Sequence, residues 1–314
     1  MLHAQIIRPG PDDHGITSIQ VGVASAVVLL LGFLVAFLVW HEDAPWLHSA
    51  LERSVQKLQL IQTLRRDLLA SAEAEKSAVM AETDEASEVF AAQSIQAAYH
   101  VEQARQALEP LLGGNSQEAQ LFREFSRCWD TLQAIDREVL ALAVQNTNLK
   151  ALRLAFGPAA EALRRLEDAL THLMDGAVAS PNVVQITRLA SQSLMGALKI
   201  SALHAPHITE STAPRMAEME ASMTHLDTQV TAAFQSLHAL VDAAGTPFLA
   251  AAETAYTAFH TIHADIVALS RQNSNIRSVA LSLGQKRTMT VQCQEGLAAL
   301  QETVQQSRTN KATR

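Results

Sequence analysis

Apolar residues along most of this chain recur at steps of three and four, the spacing that places them on one face of a helix. Leu121, Phe125, Cys128, Leu132, Ile135, Val139 and Leu142 form one such stripe. Phe248, Ala252, Ala255, Phe259, Ile262, Ile266 and Leu269 form another, which is the first displaced by 127 residues. The same displacement relates the phrase "VLALAVQNTNLKALRLAFG" at 139–157 to "IVALSRQNSNIRSVALSLG" at 266–284. A helical unit has therefore been written twice.

Breakers between the stripes divide each copy into four helices. In the first copy they fall at about 46–80, 89–112 and 116–145, with a fourth running to about 174. "ETDEAS", "GGNS" and "NTN" supply the turns, and "DGAVASPN" at 175–182 is the hinge between copies. In the second copy the helices fall near 183–205, 213–243, 247–272 and 276–306. Four helices with short loops predict an up-down-up-down bundle. The expected fold is all-α, with one N-terminal transmembrane helix followed by two tandem antiparallel four-helix-bundle units at 46–177 and 183–306, and a disordered polar tail at 307–314.

The apolar pattern changes character only near the N-terminus. From Ile19 to Trp40 the chain is uncharged and, at about 1.5 Å per residue, long enough to cross a hydrocarbon core of roughly 30 Å. It ends in Val39 and Trp40 rather than at small residues, which predicts an anchor in the lipid bilayer and not a cleaved signal. Arg8 precedes it and Glu42 and Asp43 follow, so residues 1–18 are expected in the cytoplasm of a bacterium and the helical region in the periplasm, single-pass in the inner membrane. Gly22 and Ala26, four apart, offer a contact for a homodimer.

Composition narrows the function by exclusion. Glycine (12), proline (9) and aromatics (4%) are scarce, as suits helices and not sheets. A net charge of -8 without a basic run argues against nucleic acid as a partner. No nucleophile–base arrangement or phosphate loop is present, so an enzyme is not expected. Cys128 and Cys293 lie in helical stretches with no metal or redox spacing. They read as two small packing residues, with a disulfide in an oxidising compartment as the alternative.

Each copy of the phrase turns on asparagines: Asn146 and Asn148, then Asn273 and Asn275. Asparagine tolerates left-handed backbone, and its amide satisfies free groups at helix ends. With the preceding stripe, this "VLALA…N…A" phrase resembles the four-helix-bundle periplasmic sensory modules of methyl-accepting chemotaxis proteins, in tandem; a related resemblance is to the helical bimodular sensor domain. The likeness covers roughly 46–177 well and 183–306 more loosely. It implies a membrane-anchored sensory or ligand-binding domain in which a ligand or partner biases helix packing. The expected partners are a small organic ligand and a separate membrane signalling protein, because no HAMP linker or signalling domain is recognisable. A helical scaffold protein of a membrane complex is the alternative.

Two sets of side chains are candidates for ligand chemistry. Small organic anions would need basic residues near an interface, and Arg65, Arg66, Lys150, Arg188 and Arg277 are available, with Arg105 and Arg153 beside them. Histidines pair at i, i+3 as His204 with His207 and His260 with His263, a spacing that puts both rings on one helix face. A metal or haem site follows as a further alternative, although covalent c-type haem is excluded without CxxCH, and no cofactor is the first expectation. Repeat register weighs against the metal: His260 and His263 correspond to Gln133 and Asp136, polar positions beside the core stripe, while His204 and His207 are expected two helical turns from the level of His263.

Overall fold

The computed structural model describes residues 45–114 and 116–312, and these are all-α, without a strand. Ten α-helices are described: α1 (Pro45–Val79), α2 (Asp84–Leu108), α3 (Gln117–Ala143), α4 (Thr147–Leu154), α5 (Ala160–Gly176), α6 (Val183–Thr209), α7 (Ala213–His238), α8 (Thr246–Gln272), α9 (Ser274–Leu281) and α10 (Arg287–Ala312). Single π-turns at Ala155–Ala159 and Ser282–Lys286 join α4 to α5 and α9 to α10. The apolar run at 19–40 lies outside the described residues, and no helix among those described is long and apolar enough to cross a membrane.

Local signals set several of the boundaries. Thr83 and Ser116 cap α2 and α3, their hydroxyls accepting from the Ala86 and Ala119 amides at 3.1 Å. Pro214 and Pro247 lie in the first turns of α7 and α8, where no intrahelical amide is needed. The stretch from 307, expected to be disordered, continues as helix to Ala312, because it contains neither proline nor glycine to stop α10. Both π-turns recur at the repeat spacing, yet only the first holds a proline, Pro158. Proline is therefore not what widens the helix there.

The chain divides into a large compact unit, Leu60–Thr303, and a second that holds Met1–Gln59 and Val304–Arg314. In the smaller unit the described residues are helical, with Leu51 and Val55 exposed and Val304 buried.

Packing inside Leu60–Thr303 departs from the expected pairing of helices. α4 and α5 pack against α8 and α6 of the second copy, while α9 packs against α3 of the first. Each bundle thus borrows its fourth helix from the other copy. The first consists of α1, α2 and α3 with α9–α10, and the second of α4–α5 with α6, α7 and α8. The boundaries 46–177 and 183–306 describe the duplication but not the packed bodies, because the chain passes from one bundle to the other at 144–146 and returns at Asn273. The cores are the predicted stripes: Phe125, Leu132 and Val139 are buried in α3, and Ala252, Phe259 and Ile266 in α8.

Cys128 of α3 and Cys293 of α10 form a disulfide, with Cα atoms 5.6 Å apart across a sequence separation of 165. This replaces the reading of two unconnected packing residues. The bridge ties the borrowed helix of the first bundle to its host.

In the second bundle α6 and α7 approach closely at Gly196, where a built Cβ would lie 2.5 Å from Cγ2 of the buried Val230. Gly196→Leu should therefore cost about 1–3 kcal/mol through overpacking. Gly284→Ala, which meets nothing within 4 Å, should be neutral or slightly stabilising. Thermal unfolding of the two variants checks this, and equal melting temperatures would refute the close-packing account.

Candidate functional site

The duplicated phrase meets itself. Asn146 and Asn273 are the only non-glycine residues with positive φ among those described, at φ 50° and 55°. Left-handed backbone at these two points aims the amides that open α4 and α9 at each other's side chains. The Ser274 hydroxyl accepts from the Thr147 amide, and the Thr147 hydroxyl accepts from the Ser274 amide, both at 3.1 Å. Asn275 Oδ1 accepts from the Asn148 amide at 3.1 Å, and Asn148 Oδ1 from the Asn275 amide at 3.2 Å. These amides are free at any helix start. Each copy therefore caps a helix of the other.

The side-chain amides complete the exchange: Asn148 Nδ2 donates to Asn273 Oδ1 at 2.8 Å, and Asn275 Nδ2 to Asn146 Oδ1 at 2.9 Å. The α6–α7 turn is also held here, since Ile208 O accepts from Asn148 Nδ2 and Glu210 O from Asn273 Nδ2. The equivalent Nδ2 of Asn146 is buried without a partner. Asn273→Ala should lose these bonds and add about 1–2 kcal/mol of left-handed strain, whereas Asn273→Gly should lose the bonds alone. Urea unfolding of both variants measures the difference, and a glycine variant no more stable than the alanine variant would contradict it.

Below the junction each bundle holds a buried polar group at matching positions. In the first bundle Lys286, on the π-turn, lies with Nζ 2.7 Å from Glu75 Oε2 of α1 and 2.5 Å from Asp136 Oδ1 of α3. Lys286 is 3% exposed, Glu75 0% and Asp136 8%. Asp136 also accepts weakly from Ser94 of α2 at 3.4 Å, and Glu75 Oε1 has no partner. A void of about 10 Å³, room for roughly one water, lies beside Ser71, Trp129, Asp136 and Lys286. None of the triad was anticipated as a site. The signal was nonetheless present: Asp136 and His263 are both polar beside the stripe, and Lys286 replaces the alanine of the first copy, Ala159.

The matching place in the second bundle is occupied by histidines. His204 Nε2 of α6 and His263 Nδ1 of α8 are 2.9 Å apart, with Phe259 against both rings. The two rings thus meet, contrary to the two-turn separation expected: His207 is level with Ser270, which leaves His204 only about one turn from His263. His204 Nδ1 is buried with no partner. Burial, and then the neighbouring His263 and His207, push the His204 pKa down to about 4. Burial followed by His260 lowers that of His263.

His207 takes a different role: it is fully buried, with Nδ1 2.8 Å from the Ser270 hydroxyl and Nε2 donating to Glu220 Oε1 at 2.9 Å. Arg271 grips the same carboxylate, and its hydrogen bond is the main reason that Glu220 lies below the usual carboxylate range. His260 is half exposed, 3.6 Å from Asp227, which also accepts from Tyr256 at 2.6 Å. Because the folded pKa of His204 is depressed, the unfolded chain takes up its proton first. Stability from this site should be complete above about pH 6.5 and decline as pH falls toward 4. Melting curves should show that loss reduced in His204→Phe; the same acid slope in both proteins would refute it.

The basic candidates do not converge. Arg65 donates to Gln301 at 2.8 Å, Arg66 pairs with Asp67 at 2.8 Å, and Lys150 lies 3.3 Å from Asp84. Arg188 and Arg277 are exposed on α6 and α9. Four separate surface positions and a helix-turn clasp make no anion pocket. Among the described residues, no three histidine, cysteine or acidic side chains stand ready around one metal position. No protein-family model matches the chain, and no curated protein matches it.

Proposed function

We propose that this chain is a membrane-anchored sensory-type protein, held in a bacterial inner membrane by residues 19–40, with its helical region outside the cytoplasm and a separate membrane protein as its output. The observation that carries this reading is the asparagine junction, where two bundles share their fourth helices and cap each other. A change in helix packing in the second bundle would act on Asn148 and Asn273 through the α6–α7 turn. It would then reach the first bundle through α3 and α9. That is the kind of coupling expected of the tandem sensory modules that the sequence resembles. The Cys128–Cys293 bridge supports the compartment, since disulfides persist in oxidising surroundings.

The test uses the full chain in detergent, with thermal unfolding followed against organic acids and amino acids. A ligand at 100 times its dissociation constant stabilises by about 2.7 kcal/mol. A saturable shift with one chemical class supports a sensor, and a well-folded protein indifferent to the whole panel counts against ligand sensing. A C-terminal alkaline phosphatase fusion, active only outside the cytoplasm, tests the topology independently. One observation favours the scaffold alternative: Phe156 and Leu283, at equivalent places on the two π-turns, are 72% and 61% exposed. Such residues suit a protein partner.

A further inference from the structure

The histidine pair of the second bundle has the makings of a ligand site that stands whether or not the chain is a sensor. His204 Nε2 and His263 Nδ1 approach to 2.9 Å from different helices, in a place walled by Phe259. Hydrogen bonding between them does not satisfy the pair. One proton lies between the two rings, and His204 Nδ1 remains buried with no partner. Two more potential ligands lie alongside. His260 is one turn before His263 on α8, with ring centroids 6.1 Å apart, and Asp227 of α7 is 3.6 Å from His260 Nε2. His263 and His260 are both open to solvent on one side, which provides an entry.

From this geometry we propose that His204 and His263 bind one late divalent transition metal, of the zinc or copper class, between the facing nitrogens His204 Nε2 and His263 Nδ1. Imidazole is a preferred ligand of these ions, at about 2.0–2.1 Å. Two such bonds at a tetrahedral centre place the nitrogens about 3.4 Å apart. The rings now lie end to end, with centroids 5.2 Å apart and 18° between their planes, so the pair must open by roughly half an ångström and each ring must swing by about 35° for the two lone pairs to converge on the ion. The metal would take a lone pair from each ring, and the ring that had donated the shared proton would carry a proton on its outer nitrogen instead, His204 Nδ1 or His263 Nε2, so that both ligands stay neutral imidazoles. Water, or His260 after a rotamer change, completes the coordination.

The first bundle is the natural contrast. At the position equivalent to His263 it has Asp136, and there the cation is supplied by the protein itself as Lys286. The second bundle has Ala159 where that lysine would be. One bundle carries its own cation, and the other is left to take an ion from solution.

The experiment is calorimetric titration of the full chain, stripped with a chelator and held in detergent, with zinc chloride and separately with copper(II) chloride. One equivalent per chain is expected for at least one of the two metals, with a rise in melting temperature. His263→Gln, partly exposed and the milder change, should weaken binding at least tenfold. His225→Gln, on the exposed face of α7, should leave it unchanged. His204→Phe should also abolish binding, with circular dichroism to show that it folds. Failure of both metals to bind the folded chain would overturn the proposal. So would binding that His263→Gln retains at full affinity, which would mark adventitious capture by surface histidines.

Discussion

Breaking the Cys128–Cys293 bridge should destabilise the first bundle by about 5 kcal/mol, the chain-entropy value for a closed loop of this length. The 165-residue separation spans the second half of α3, the whole second bundle and the return through α9. Without the bridge, the unfolded chain regains the freedom to separate α10 from α3 by that entire length. Cys293 is fully buried and Cys128 partly so, and alanine at either site removes only one sulfur atom. Most of the loss should therefore come from the unfolded state. Two bundles need not unfold together, so the measurement is the shift of the unfolding midpoint between oxidised protein, reduced protein and the Cys128→Ala/Cys293→Ala variant. Reduced and double-alanine proteins should agree. A midpoint unchanged by reduction would show that the link contributes nothing to folding.

Removing the Lys286 ammonium should be nearly as costly. Lys286→Met keeps the length and apolar stem of the side chain but leaves Glu75 and Asp136 buried in the first bundle without a cation. Stranding a buried charge costs about 3–5 kcal/mol. The instructive comparison is the triple variant Glu75→Gln, Asp136→Asn, Lys286→Met. Neutralising all three removes the desolvation penalty together with the attraction, so most of the lost stability should return. Urea unfolding of the two proteins separates the explanations. If Lys286→Met costs less than about 1 kcal/mol, or the triple variant is the worse of the two, the triad is not an ion cluster of the kind its distances imply.

Helix existence and the asparagine turns could be read from the sequence because they depend on local chemistry. Stripes at three and four residues marked α3 and α8, and Asn146 and Asn273 adopt the left-handed backbone for which asparagine suits the position. Helix exchange could not be read that way. Both copies carry the same stripe, so α4–α5 fits α3 and α8 alike, and a link as short as 144–146 serves a reversal as well as a continuation. The choice is made by hydrogen bonds between residues 127 apart, and periodicity within one copy contains no trace of them. For the candidate site, residue types were a better guide than pairings. His204 and His263 are candidates on separate helices, but their meeting depends on how α6 and α8 are aligned, which neither helix's own residues set. Cys128 and Cys293 occupy unrelated repeat positions, so the duplication could not pair them. The arginines and Lys150 were charged residues on helices, and most lie where water solvates them.

The junction also bears on how such a chain could arise. Thr147 meets Ser274 and Ser274 meets Thr147; Asn148 meets Asn275 and Asn275 meets Asn148. Reciprocity of that kind is the mark of an isologous contact, the self-complementary surface formed when two identical subunits meet about a two-fold axis. Here the subunits are halves of one polypeptide. In a single copy of the phrase these amides would be left to water, and a second copy satisfies them here, so the duplicated chain corresponds to a domain-swapped dimer made covalent. Once fused, its halves were free to diverge. The approximate two-fold axis at the asparagines relates an acid–lysine triad on one side to a pair of histidines on the other.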